Sequence, residues 1–283
     1  MEFLAVITVL VAMQVWGNGG VVQRDTWLDD LYLRLKSIGN PQLRLAALIL
    51  LPVLLVLIVQ GILSGVMWGL PLLLFYIAVL LYSLGRGDFS MQLKLYYEAW
   101  DRGDLEASYQ QARELEAFDG AAALGNARDL HDNVRAAIFY QGFERWFSVV
   151  FWFVILGPAA ALAYRLFKII SQKPETGEDE QSILDNAVYF AEWLPARLLS
   201  FTFAVAGNFE RCIGVCREQF LEQTPAVNLL DTCGQLAISH PIPEQGSDEE
   251  FREQASRELH SSQQLLYRSV LSWVIVLAVL QLI

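Results

Sequence analysis

Long uncharged apolar runs alternate with polar stretches along this chain. Leu45–Ser64 carries no charge over about 20 residues, the length a helix needs to cross a bilayer. Its Pro52 is tolerable in lipid where neighbouring helices re-satisfy the freed carbonyl. Leu70–Leu84 is a second, shorter run with a proline in its first turn, and the charge-free link Gly65–Gly69 predicts a tight helical hairpin. Phe3–Trp16 is a third run. A signal peptide would need a basic start and small residues before a cut, whereas this run follows Glu2 and ends on Trp16-Gly17-Asn18, so an uncleaved helix is expected. Ser269–Ile283, preceded by Arg268 and extended by Leu265 and Leu266, is the last. Trp146–Ile170 has two readings, a span kinked at Gly157-Pro158 or a re-entrant hairpin that turns there.

The polar stretches read as helices too. Asp88 is a candidate N-cap for a stripe of Phe89, Leu93, Tyr96 and Trp100, and Gly103 is a left-handed stop. Asp104 caps the next stripe, Leu105, Tyr109, Ala112 and Leu115, so an αα-hairpin is predicted. A helix over Ala122–Arg145 leads into the ambiguous run. After the acidic spacer PETGEDE, an aromatic apolar segment is interrupted at Pro195-Ala196-Arg197, where a helix break is expected. The organisation is a membrane helix at 1–16 and a transmembrane hairpin at 45–84. A cytoplasmic helical region follows at 85–145, then a re-entrant hairpin or kinked membrane helix at 146–170. Interfacial and cytoplasmic helices occupy 183–264, and a membrane helix 265–283. The fold class is all-α, a polytopic membrane helical bundle with a cytoplasmic portion that includes the αα-hairpin.

Charge sets orientation and excludes one class of partner. The net charge of -11 leaves no basic surface for displacing counterions from phosphate, so nucleic acid is not a partner. Gly17–Arg44 carries Arg24, Arg34, Lys36 and Arg44, Arg86–Arg145 is also rich in Lys and Arg, and Gly65–Gly69 has none. The positive-inside rule then makes the basic loops cytoplasmic and the Gly65–Gly69 turn and N-terminus external. Cys212, Cys216 and Cys233 form no disulfide framework. Cys212 and Cys216 share a helical face without a ligand-spaced histidine and read as small buried hydrophobes, so no metal site is expected.

Charged groups at membrane depth are functional candidates, because burying them alone costs several kcal/mol. Glu144, Arg165, Asp185 and Arg197 qualify, although Arg197 could also snorkel from an interfacial helix. Arg86 and Asp88, where the hairpin meets the membrane run, read equally as an interfacial anchor and a helix cap. No phosphate loop, HExxH or GxSxG occurs.

The order Arg86-Gly87-Asp88, Gly103-Asp104-Leu105 with Ala112-Arg113, Glu144, Gly157-Pro158, Tyr164-Arg165, Asp185 and Pro195-Ala196-Arg197 resembles the AmpE family. These are regulatory or signalling membrane proteins associated with inducible AmpC β-lactamase. The family is similar in turn to the CbiB/CobD cobalamin-biosynthesis membrane proteins, which use ATP to form an amide. Those enzymes carry acidic and amide residues after the glutamate and after Tyr-Arg. Here Glu144 is followed by Arg145-Trp146-Phe147-Ser148, and Tyr164-Arg165 leads to Lys168, which removes Mg²⁺ ligands that phosphoryl chemistry needs.

The resemblance therefore implies a regulator that binds an anionic metabolite or nucleotide at the cytoplasmic membrane face. Its ligand-binding residues would be Arg86, Asp88, Glu144, Arg165, Asp185 and Arg197, with a membrane-protein partner or homo-oligomer. The alternative it implies is a CbiB-like ATP- and Mg²⁺-dependent amide-forming enzyme, or one that modifies cell-wall fragments.

Overall fold

Several helices in this chain start at side chains that satisfy the first free backbone N–H groups. The computed structural model describes residues 1–16, 23–65, 69–115, 117, 126–173, 177–238 and 248–280. In it Asn40 caps α3 (Pro41–Leu63), Asp88 caps α5 (Phe89–Asp101), Asp104 caps α6 (Leu105–Glu114), Asn126 caps α7 (Ala127–Gly142) and Asn208 caps α11 (Phe209–Glu218). The other helices are α1 (Glu2–Trp16), α2 (Thr26–Leu35), α4 (Leu70–Ser83), α8 (Ser148–Leu156), α9 (Pro158–Ser171), α10 (Glu178–Ala206), α12 (Ala226–Ala237) and α13 (Asp248–Leu280). One π-helical turn, Phe143–Phe147, lies between α7 and α8. No strand occurs among the described residues, and the fold is all-α. Residues 17–22, 66–68 and 118–125, which include parts of three connections used above, lie outside the described residues.

The chain divides into two compact units. The first comprises Met1–Gly87, Glu144–Pro195 and Leu277–Ile283. One of its cores packs α2, α3 and α9 through Leu28, Leu48, Leu162, Leu166 and Ile170. A second packs α1, α4, α8 and α9 through Val6, Tyr76, Leu80, Phe153 and Tyr164. α2 is amphipathic and buries Leu28; the apolar-run reading had not anticipated it. The outer face of α3 is left apolar, with Leu50, Leu54, Leu55, Ile58 and Ile62 each at least half exposed. By length and composition, Pro41–Leu63 and Glu249–Val279 suffice to cross a membrane, while Glu2–Met13 and Leu70–Ser83 are shorter apolar helices.

The chain reverses at Gly157-Pro158. Gly157 takes φ 86°, ψ -174°, a conformation closed to residues with a Cβ, and Pro158 starts α9 in its first turn. A straight helix would hold residues 21 apart by about 31 Å. Instead Glu144 touches Arg165 at 3.1 Å, so α8 and α9 form a hairpin.

The expected break at Pro195 is absent, since α10 runs through it. Proline has no N–H for the carbonyl four residues back. Here that carbonyl, Ala191 O, accepts the Trp152 indole N–H at 3.0 Å instead. A borrowed donor keeps the helix whole.

The second unit comprises Asp88–Phe143 and Ala196–Val276. α5 and α6 form the expected αα-hairpin, turning at Gly103 with φ 73°. Leu93, Tyr96 and Trp100 are buried as predicted, and the Trp100 indole donates to Arg252 O at 3.0 Å. On α6 the stripe departs from prediction. Leu105 is exposed, and Ser108, Ala112 and Leu115 form the inner face. α7 and α12 approach closely because Gly234 faces the Phe139 ring, where a Cβ would lie only 2.4 Å away. Phe139 packs in turn on Phe203.

Candidate functional site

Four charged side chains meet inside the first unit, all less than a tenth exposed. The π turn carries Glu144 at the polar end of the α8–α9 hairpin, and π turns recur at functional sites. Tyr164, Arg165 and Lys168, spaced for one face of α9, reach the same point. Arg165 Nη1 donates to Glu144 Oε1 at 3.1 Å, and its Nε donates to Ser83 O at 2.6 Å. Lys168 Nζ lies 3.5 Å from Glu144 Oε2 and 3.6 Å from Glu192 Oε1. The Tyr164 hydroxyl donates to Glu192 Oε1 at 3.0 Å.

The cluster balances two carboxylates against two cations. Burial pushes the Glu144 carboxyl up, but Lys168, Arg165 and Arg145 outweigh it and hold the group below its usual range. One donor is left over. Arg165 Nη2 is buried and finds no acceptor among the described residues, and the Ser148 hydroxyl, one turn beyond Glu144, is likewise orphaned. Buried polar atoms are nearly always satisfied, so an unused guanidinium N–H is an unmet demand for an acceptor. Mg²⁺ does not suit this donor set, because Glu144 and Glu192 already pair with cations where a metal would need free carboxylates.

The remaining sequence candidates have other partners. Arg86 grips Asp25 through Nη2 at 2.7 Å and Nε at 3.2 Å, and stacks on Tyr82. Partial burial raises the Asp25 carboxyl, yet bonds from Arg86 and Tyr82 bring it below its usual value. Asp185 is exposed and accepts from Gln181 at 2.9 Å. In the second unit, Asp88 caps α5 by accepting from Met91 N–H at 3.1 Å. Arg197 there is 1% exposed, so it does not snorkel. Its Nε donates to Phe220 O at 2.7 Å and its Nη2 to Glu222 O, just past the end of α11, where a cation is favoured. The structure thus brings Glu144 and Arg165 into direct contact and adds Lys168, Glu192 and Tyr164 to them. Glu192 was missed in sequence, although an acid inside the apolar stretch Tyr189–Leu194 meets the same membrane-depth criterion that selected Arg165.

A second buried network holds the other unit together. Arg135 donates to both Asp231 oxygens, at 2.9 and 3.2 Å, and to Glu258 at 3.3 Å, while His131 Nε2 lies 3.3 Å from Glu258. Arg135 spends its donors on carboxylates, as in a structural clamp, while His131 Nδ1 is buried without a hydrogen-bond partner among the described residues.

With this geometry in view, the comparisons with known proteins agree on one family. Residues 1–216 match the family described as regulatory signalling modulator protein AmpE. A curated relative, Protein AmpE of Shigella flexneri, is 22% identical over 222 residues, covering 75% of this chain and 77% of that protein. No solved structure matches. The matched stretch contains the whole Glu144–Arg165–Lys168–Glu192 cluster, and the chain belongs to the AmpE family.

Proposed function

We propose that this chain is a multi-pass inner-membrane signalling protein whose buried charge cluster senses a small anionic ligand and tunes AmpC β-lactamase induction. The ligand would be a cell-wall metabolite or nucleotide bearing a carboxylate or phosphate. The observation that carries the reading is the unused, buried Nη2 of Arg165. Arginine presents a planar fork matched to such groups. Because the cluster is already neutral, an incoming anion must take Arg165 or Lys168 from Glu144. That exchange loosens the tie between the two ends of the α8–α9 hairpin, which gives ligand binding a structural consequence.

The membrane reading is supported by the apolar outer face of α3 and by the hairpin tip, where Ile155 and Leu156 are exposed. With the basic connections cytoplasmic, the charged end of the hairpin faces the cytoplasm and its apolar tip enters lipid. The test uses Arg165→Ala and Arg165→Lys, expressed from the native locus at matched membrane abundance. AmpC β-lactamase is then measured after a β-lactam challenge. Arg165→Ala should abolish the chain's effect on induction, and Arg165→Lys should restore part of it, because a point charge lacks the fork. Full regulation by Arg165→Ala would exclude the site.

A further inference from the structure

Three thiols from two helices meet in the interior of the second unit. Cys212 and Cys216 lie one turn apart on α11, and α12 brings Cys233 against them. Cys216 Sγ is 3.4 Å from Cys212 Sγ and 3.3 Å from Cys233 Sγ, and all three sulfurs lie within 4.8 Å of one another. Each is at most 1% exposed, and none is in a disulfide. A single buried cysteine is a small apolar side chain. Apolar packing, however, does not require three sulfurs to face one point. We propose that this cluster is a trithiolate site for one soft, thiophilic cation, with Cu(I) the best-matched ion.

Size, ligand number and charge each bear on that assignment. An ion about 2.3 Å from three sulfurs sets them about 4.0 Å apart in a trigonal plane. The observed spacings need to open by roughly 0.6 Å, within reach of small side-chain rotations. The ligand group contains three thiols and, among the described residues, no fourth His, Asp or Glu. Structural zinc is almost always four-coordinate, whereas soft sulfur ligands select Cu(I), which is content with three.

Binding breaks three S–H bonds, sends three protons to water and forms three metal–sulfur bonds without change of oxidation state. Cys212 Sγ now donates to Cys233 O, and Cys216 Sγ to Ser200 O. Both carbonyls lie inside helices, whose ladders keep them paired once the protons leave.

The test is an anaerobic titration of the reduced, detergent-purified full chain with Cu(I) against a chromophoric Cu(I) chelator, and in parallel with Zn(II). One Cu(I) per chain is expected, with three sulfur neighbours by X-ray absorption and protection of all three cysteines from alkylation. Cys216→Ser, Cys212→Ser and Cys233→Ser should each weaken binding more than about 100-fold, since outer-shell partners alone are worth 10–100-fold. Protection is read on the wild-type chain and so decides the matter even if a serine variant misfolds. Absence of stoichiometric Cu(I), binding that survives replacement of all three cysteines, or a Cys212–Cys216 disulfide in place of metal would overturn the site. Stoichiometric zinc with no retained Cu(I) would overturn the choice of ion.

Discussion

Glu144→Gln removes one charge from the buried cluster while keeping its shape. The loss leaves Arg165 bonded to the Ser83 carbonyl and Lys168 beside Glu192 at 3.6 Å. Breaking a buried ion pair from one side costs about 3–5 kcal/mol, because the stranded charge keeps its desolvation penalty. Since Lys168 retains a carboxylate, the lower end, about 3 kcal/mol, is expected. Arg165→Met in the Glu144→Gln background should recover much of that loss, since it removes the stranded guanidinium. The double-mutant cycle should show a coupling of about 1–3 kcal/mol. Reversible SDS unfolding of the detergent-solubilised protein, followed by tryptophan fluorescence, measures both quantities.

The pH dependence follows from the same pair. A carboxyl held below its unfolded value, ordinarily near 4.3 for glutamate, stabilises the fold above that value. The contribution disappears as pH falls through the lowered folded-state value. The wild type should therefore lose stability on acidification below about pH 4 more steeply than Glu144→Gln. A cost below about 0.5 kcal/mol with no coupling, or parallel pH profiles, would refute the reasoning, for then the cluster is not a desolvated ion network.

Three further outcomes are expected. Trp152→Phe should cost about 1–3 kcal/mol by stranding the Ala191 carbonyl, and Pro195→Ala in that background should recover most of it by restoring the helical N–H, as read by the same unfolding assay. Gly157→Ala should cost about 1–3 kcal/mol from backbone strain alone, because no atom lies within 4 Å of the added Cβ; an unchanged unfolding midpoint would contradict the assigned turn. Cysteines introduced at exposed Asp104 and Gln172 should both resist membrane-impermeant thiol reagent in intact cells and react after lysis. Labelling at Gln172 alone would place the two ends of the α8–α9 hairpin on opposite sides and undo the proposed orientation.

Periodicity along a segment reveals which face of a helix is apolar, and most of the helices were legible on that basis. The αα-hairpin was readable from Asp88, Gly103 and Asp104, because caps and left-handed stops act over a few residues. Leu105 was misassigned for the same local reason. The first residue after a cap can point outward whatever its hydrophobicity, and Ser108 took the inner position. Gly157-Pro158 fitted both a kink and a reversal, and what decides between them is the pairing of Glu144 with Arg165, invisible to any window of sequence. Pro195 shows the limit most plainly. Read alone it breaks a helix, but Trp152, far away in sequence, supplies the missing hydrogen bond and the helix continues. Glu192, and the convergence of Cys233 with Cys212 and Cys216, escaped the sequence similarly, since each gains its meaning from partners on another helix. Charge at depth is the one signal that crosses this barrier. A buried ion must find a partner of opposite sign or be lost energetically, so Glu144, Arg165, Lys168 and Glu192, all set in or beside apolar stretches, already constrain one another before any coordinate is known.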